Sequence, residues 1–583
     1  MFDALHGRLC EQLLQALSPV SGVWRGRLSN SALSTAVAVL ALRLADHEQD
    51  RTRIHAGLEW LRADQNEDGG WGDTDRSASN LAATLLTWSA FPNNTPAPPG
   101  VEAWLETRCG STDSRDISLS VLEHYGGDRT FSAPILTACA LAGRLGPEPD
   151  CWREVPQLPF ELAVLPSRWF SRLGLPVVSY ALPALIAIGL VRHRRSNGFK
   201  PWGLLRTGLT RTVLHRLRAI QPAHGGFLEA APLTAFVAMS LLGCGFEDDP
   251  ATEKALAFLR SSQRDDGGWP IDTDLATWLT SLSIVALEDD LPANHAGAAR
   301  RWLLDQQYIR RHPYTNSPPG GWSWTDLPGA VPDADDTSAA LIALRRLGID
   351  DETQRAAQSG VGWLLGLQNR DGGMPTFCRG WGKLPFDRSC PDITAHAVQA
   401  LAEWREDLSG APTKTFQSGL AKALDYLAKT QREDGAWIPL WFGNEGDPNH
   451  ENPLYGTARV HACLVDAQEA GTDMPTTLLD QSANWLRSAQ NPDGGWGGDR
   501  NLPSTVEETA LALAALADDP LATNALQHGA DWLSAHVEID SPAPIGFYFA
   551  SLWYYEKLYP LIFATNATRR LKHHAGASRR VLP

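Results

Sequence analysis

Trp60-Leu61-Arg62-Ala63-Asp64-Gln65-Asn66-Glu67-Asp68-Gly69-Gly70-Trp71 decides the fold, because its pattern comes back along the chain. An aromatic-Leu pair closes an apolar helical run, a Gln follows, a polar turn intervenes, and Gly-Gly-Trp ends the unit. Clear copies are Phe258-Leu259, Gln263 and Asp266-Gly267-Gly268-Trp269; Trp363-Leu364, Gln368 and Gly372-Gly373-Met374; Tyr426-Leu427, Gln431 and Gly435-Ala436-Trp437; and Trp485-Leu486, Gln490 and Gly494-Gly495-Trp496. Weaker copies are Gln221 with Gly225-Gly226-Phe227, and Gln307 with Gly320-Gly321-Trp322. Ala/Leu-rich runs with helical spacing separate the copies, Ser31 to Leu40 and Glu508 to Leu516 among them, and alternating strand patterns are scarce. Each unit therefore reads as helix, Asp-Gly turn, helix. The Gln amide can bond exposed backbone groups at a neighbouring helix end while the Trp packs on the adjacent unit. A period of roughly 40–60 residues suits stacked helix pairs, an all-α architecture, and leaves both an open solenoid and a closed barrel available.

With 583 residues, 43% hydrophobic and 20% charged, the chain is globular and too long for one small core. Trp (22) outnumbers Phe (17) and Tyr (10), an unusual ranking that points to work for aromatic faces beyond ordinary packing. A net charge of −16 argues against a general nucleic-acid binder. Eight cysteines without a C-x-x-C pair signal neither a disulfide framework nor a zinc site, and reduced thiols in the cytoplasm fit best. Met1-Phe2-Asp3-Ala4-Leu5 lacks the charged and apolar regions of a signal peptide.

One segment departs from the acidic background. From Leu162 to Leu228 there is no Asp or Glu, but Arg168, Arg172, Arg192, Arg194, Arg195, Lys200, Arg206, Arg211, Arg216 and Arg218 all fall inside it. The run Val177 to Val191 is shorter than the ~20 residues a membrane span needs, and Pro183 interrupts it. Trp202, Leu205, Leu209, Val213 and Leu217 share one helical face, with Arg211 and Arg218 opposite and Arg206 and Arg216 intruding. The segment reads either as an element lying on an anionic bilayer surface or as a buried helix followed by a solvated basic loop. Pro92 to Gly100, Gly146 to Asp150 and Gly443 to Asn452 read as loops, and Asp272 marks a domain boundary. Past Asp540 the repeat gives way to Phe547, Tyr548, Phe549, Trp553, Tyr554, Tyr555 and Tyr559.

The chemistry concentrates in Pro332-Asp333-Ala334-Asp335-Asp336-Thr337-Ser338, where three carboxylates open an apolar helix. Asp333 can cap that helix while Asp336 completes a capping-box-like pair, which is a purely structural use. Alternatively Asp335, kept protonated by burial and its acidic neighbours, delivers a proton to a substrate. Asp392 and His396 stand four apart and can pair with each other along one helix face.

Gln…Gly-x-Trp repeats together with D-x-D-D preceded by Gly-Gly-aromatic resemble the squalene–hopene cyclase family of class II terpene cyclases, over nearly the whole chain. The resemblance implies two α-α barrels with a central cavity between them, residues 20–272 forming one and residues 1–19 with 273–583 forming the other. It further implies attachment to the cytoplasmic membrane face through residues 162–228, a squalene-like polyprenyl substrate, and no metal, cofactor or nucleic acid; it leaves a homodimer open. By it, Asp335 is the general acid, Asp333 its paired carboxylate, Asp336 a supporting group, and His396, in an Asp-x-Thr-Ala-His pattern, the histidine that bonds the acid. Trp278, Trp322, Trp324, Phe377, Trp441, Tyr455, Phe547, Tyr548 and Tyr555 are the implied cavity aromatics. A buried acid suits a substrate as weakly basic as an alkene, and aromatic faces stabilise cations without offering a lone pair to them. Met374 in place of a repeat Trp, the Gly443–Asn452 loop and Leu552 in place of a tyrosine depart from the family pattern. A prenyl diphosphate substrate, a glycan-active α-α barrel and a helical-repeat scaffold are the alternatives.

Overall fold

The computed structural model describes residues 2–19, 21–126, 129–166, 169–170, 177–196, 201–408, 414–537, 542–547 and 552–581. Its helices fall into two kinds. Some are apolar all round and almost wholly buried, such as Ala32–Ala45, Leu81–Ala90 and Ala276–Leu287. Others carry a single buried stripe, as in Lys414–Thr430, where Phe416, Gly419, Leu420, Ala423, Tyr426 and Leu427 follow the helical repeat. The first kind forms inner rings and the second clads them.

Six inner helices close the larger ring: Ala276–Leu287, Ala334–Arg346, Pro391–Trp404, Pro453–Glu469, Val506–Leu516 and Tyr559–Val581. Each packs on the next, and the last packs back on the first. The other ring, first in chain order, runs Ala32–Ala45, Leu81–Ala90, Arg129–Leu141, Val177–Arg195, Ala231–Gly243 and back to Ala32–Ala45. Of the two arrangements the repeats allow, the chain adopts closed α-α barrels. The first helix, Phe2–Gln15, packs on Tyr559–Val581 and so belongs with the ring that the end of the chain completes. Two hydrophobic cores result, and Phe377, Phe386 and Leu552 pack against both.

The repeat residues hold the rings by a constant set of bonds. Each Gln amide donates to the carbonyl of its own turn and to one near the start of another outer helix: Gln431 to Gly435 and Leu478, Gln490 to Gly494 and Ala525, Gln307 to Gly320 and Ala356. Gln263 instead reaches back to the Arg53 carbonyl at 3.0 Å, which closes the first ring. The Trp indole N–H returns to its own helix, Trp71 to Leu61 O, Trp269 to Leu259 O and Trp496 to Leu486 O. Its backbone N–H meets a Thr hydroxyl of an inner helix: Trp71 with Thr84, Trp437 with Thr457, Trp496 with Thr509. Met374 keeps that last bond, to Thr394 at 2.8 Å, so the substitution costs the indole contacts but not the turn.

One sequence expectation needs correction. The stretch beginning at Gly443 is not loop throughout: Phe442–Asn444 is a strand that pairs antiparallel with Ile545–Phe547, which pairs in turn with Leu552–Tyr554. Short aromatic-rich segments near the chain end find partners there that no local pattern announced. In the basic segment, Val213 and Leu217 are buried in the core, and Arg206 and Arg218 are paired with Glu161 and Asp249. Near the start of the helix Leu205, on that stripe, is 48% exposed, and its neighbour Leu204 is 64% exposed. Arg168, Arg172 and Lys200 lie outside the described residues, as does the Trp202 side chain. Among the described residues no helix is long and apolar enough to cross a membrane.

Candidate active site

The acid helix begins where an extended segment stops. Asp333, at φ −137° and ψ 170°, caps Ala334–Arg346 by accepting the Asp336 backbone N–H at 2.9 Å, as the structural reading of the motif required. Its own N–H donates to Trp322 O at 3.0 Å, and Ala334 N–H donates to Thr376 O at 2.8 Å, so the helix start is bolted to two neighbouring turns. Capping uses Asp333 and leaves Asp335 free to project from the first turn.

Asp335 faces His396. Their Oδ1 and Nδ1 atoms lie 2.6 Å apart, with the histidine side chain 6% and the aspartate 15% exposed. The i, i+4 pairing of Asp392 with His396 is not formed; Asp392 instead accepts the Cys390 thiol at 2.6 Å, and burial followed by the Asp335 charge pushes its carboxyl up to about 6. Thr394, between them, accepts Met374 N–H and donates to Cys390 O. The Asp-x-Thr-Ala-His stretch thus spends two residues on holding its own helix start and aims the third at the acid.

Burial dominates the electrostatics. It pushes Asp333 up to about 7 against the hydrogen bonds from Asp336, with the Asp335 charge adding to the rise. Burial, then the charge of Asp333, holds Asp336 well above the usual carboxylate range. Both shifts favour the neutral form, which eases the repulsion among three carboxyls at one helix start. Burial lowers the affinity of His396 for a second proton, opposed by the bond to Asp335.

Aromatic rings converge beside this cluster. Trp278 stands edge-on to His396 at 6.1 Å, and its indole N–H donates to Tyr559 Oη at 3.1 Å. Phe377 meets Tyr180, Trp324, Phe386 and Trp441 at centroid distances of 5.5 to 6.2 Å. Tyr455 packs on Phe442 at 4.6 Å. Trp278, Trp324, Phe377, Trp441 and Tyr455 therefore lie in aromatic clusters within the described core. Trp322 does not join them: it is fully buried and bonded to Leu303 O at 2.7 Å, as the other repeat tryptophans are to their own leucines. Tyr555 is turned toward the other ring, where its hydroxyl donates to Asp75 at 2.9 Å beneath the Arg76 guanidinium. Tyr548 and the Phe547 side chain lie outside the described residues. Sequence reasoning missed Tyr180, Phe386, Tyr554 and Tyr559. The alternation in Leu552-Trp553-Tyr554 was a usable signal for Tyr554, since a strand sends it and Leu552 to the same face; Tyr180 and Phe386 carried none.

Among the described residues, His6, Cys10 and Asp290 are a cluster whose ligand atoms all lie within 4.8 Å of one another. His6 is already bonded there to Asp290 and to Thr568, each at 2.9 Å.

Paired α-α barrels with a carboxylate-capped helix facing a histidine are the arrangement that the resemblance implied. Residues 7–93 and 273–541 match the model of the squalene-hopene cyclase C-terminal domain, and the chain belongs to the squalene–hopene cyclase family. It is 27% identical over 590 aligned positions to enfumafungin synthase of Hormonema carpetanum, covering 85% of this chain and 42% of that protein. Squalene hopane cyclase of Aspergillus fumigatus is 24% identical over 614 positions, 84% of this chain and 78% of that one. Ent-copalyl diphosphate synthase of a Streptomyces species is 30% identical over 379 positions, 60% of this chain and 61% of that one. A solved ent-copalyl diphosphate synthase from Streptomyces platensis shares the fold over 98% of this chain and 99% of its own, at 20% identity and a TM-score of 0.54.

Proposed function

We propose that this chain protonates a terminal alkene of squalene or a similar long linear polyprene and cyclises it to a polycyclic triterpene such as hopene. The observation that carries the reading is the 2.6 Å Asp335–His396 pair set against Trp278 and the aromatic clusters. An alkene is an extremely weak base, so the donor must lose its proton to carbon with its conjugate base already stabilised. In this reading the proton is donated from Oδ2 of Asp335, since Oδ1 is engaged by His396. The histidine and the helix N-terminus hold the carboxylate that is left. The cations that follow are stabilised by ring faces at about 0.5–2 kcal/mol each and are spared attack by excluded water.

The substrate comes from lipid in this reading. Leu162, Val164, Trp169, Leu204 and Leu205, all exposed, cluster in the acid-free basic stretch and support a peripheral attachment to the cytoplasmic face of a membrane. A second reading, cyclisation of a prenyl diphosphate, is favoured by the two ent-copalyl diphosphate synthase matches. Arg25, for its part, is already paired with Asp274 and Asp326. Incubation of the purified protein with squalene in detergent, and separately with geranylgeranyl diphosphate, followed by mass spectrometry of the extract, decides between them. Cyclised diphosphate without cyclised squalene replaces the first reading by the second.

A further inference from the structure

The first helix, Phe2–Gln15, carries a group of side chains that alkene protonation does not use. His6 and Cys10 stand four apart, so both leave the same face of that helix. Asp290 reaches them from the Glu288–Asp290 turn after Ala276–Leu287. His6 Nε2 lies 2.9 Å from Asp290 Oδ2 and 3.5 Å from Cys10 Sγ. His6 and Cys10 are buried, whereas the Asp290 side chain is 44% exposed and opens the cluster to solvent.

A His–Asp ion pair explains only part of this arrangement. Nε2 has at most one hydrogen to offer, yet an oxygen and a sulfur both converge on it. The other ring nitrogen narrows the choice. Nδ1 meets Thr568 Oγ1 at 2.9 Å, and that hydroxyl spends its own hydrogen on Ala564 O at 2.9 Å or Thr565 O at 3.0 Å. Thr568 therefore accepts, Nδ1 carries a hydrogen, and the neutral ring points the Nε2 lone pair at Cys10 and Asp290. A proton on Nε2 would satisfy Asp290 alone, while a metal ion among the three satisfies all of them. A far nitrogen that donates to a fixed oxygen is also how metal-bound imidazoles are oriented.

The donor set and its spacing select the ion. Magnesium and calcium take oxygen ligands, whereas one N, one S and one O suit zinc. Zinc bonds of about 2.0–2.1 Å to N and O and about 2.3 Å to S give tetrahedron edges of about 3.3 Å for N–O and about 3.6 Å for N–S. The N–S separation already fits, and the N–O separation fits once the half-exposed Asp290 carboxylate withdraws slightly.

We infer that His6 Nε2, Cys10 Sγ and a carboxylate oxygen of Asp290 bind one zinc ion, with water from the exposed side as the fourth ligand. Cys10 binds as the thiolate, and its proton goes to solvent. The ion acts as a clasp. It ties the first helix to the end of Ala276–Leu287 and, through Thr568, to Tyr559–Val581, two inner helices that pack on each other in the larger ring.

The test uses the full chain without a histidine tag, stripped by chelator and titrated with zinc alone or with cobalt(II) as its spectroscopic stand-in. One equivalent of cobalt is expected to give a thiolate charge-transfer band and the intense visible bands of a tetrahedral centre. Cys10→Ser should abolish the charge-transfer band. Asp290→Asn, at a half-exposed position that tolerates the change, should weaken zinc about tenfold or more, and Thr568→Val about 10–100-fold. Saturating zinc should raise the melting temperature of the wild type by about 2 °C or more and leave that of Cys10→Ser unmoved. A wild-type protein without the cobalt band overturns the site, as does an unaltered band in Cys10→Ser, which would give the metal to another of the eight cysteines. Wild-type zinc affinity in Asp290→Asn overturns it as well, because two ligands on one helix would then bind an adventitious ion only.

Discussion

His396 Nδ1 and Asp335 Oδ1 stand 2.6 Å apart on adjacent inner helices, although 61 residues separate them in the chain. This contact turns a first-turn carboxylate, one not used as the helix cap, into a candidate acid. Asp335→Asn is expected to lower cyclisation at least about 10³-fold, and His396→Phe about 10²–10⁴-fold, with thermal midpoints near wild type. Product formation per mole of folded protein checks both. Turnover undiminished in Asp335→Asn ends the assignment.

Stability should fall as pH rises through neutrality. Burial pushes Asp73 and Glu507 up to about 8 and Glu445 up to about 7, from ordinary values of 3.8 and 4.5. A carboxyl held above its unfolded-state value favours the folded form while protonated. Its contribution is complete below about pH 4 and is lost as pH climbs to about 8. Asp73→Asn keeps an acceptor for the Trp553 N–H and removes one titration, so its melting temperature should drop less than wild type between pH 6 and 9. Parallel pH profiles for the two proteins would refute this.

Gln263 closes the first ring through Arg53 O and Gly267 O. Gln263→Leu leaves buried carbonyls without their donor and should cost about 1–3 kcal/mol, read from urea midpoints at unchanged slope. A midpoint indistinguishable from wild type would mean the amide is dispensable.

Leu204 and Leu205 are the most exposed apolar pair of the basic stretch. Leu204→Glu with Leu205→Glu should release the protein from anionic vesicles in a flotation assay without shifting its melting temperature. Retention on vesicles by the double variant would remove this patch from the proposed attachment.

The helix-pair architecture was legible because its signals are local. Gln431 bonds Gly435 four residues on and Trp437 bonds Leu427 ten residues back, both inside one unit, and the clear copies that keep a Trp repeat this geometry. Asp333 as cap and Asp335 as the projecting carboxylate were legible in the motif, whereas local spacing offered His396 to Asp392 and only the fold turns it to Asp335. Trp322 shows the converse: its sequence context suits a cavity wall and a repeat clasp equally, and only the bond to Leu303 decides. The strands at Phe442–Asn444 and Leu552–Tyr554 escaped notice because each is three residues long and is made by its partner rather than by its own propensity.

The docking of Phe2–Gln15 on Tyr559–Val581 has a consequence for folding. The buried stripe Leu5, Leu9 and Leu13 lies on a helix whose partner is remote in the chain, His6 bonding Thr568 562 positions away. A contact between such distant segments forms late, so the stripe stays open to wrong partners until Tyr559–Val581 is in place.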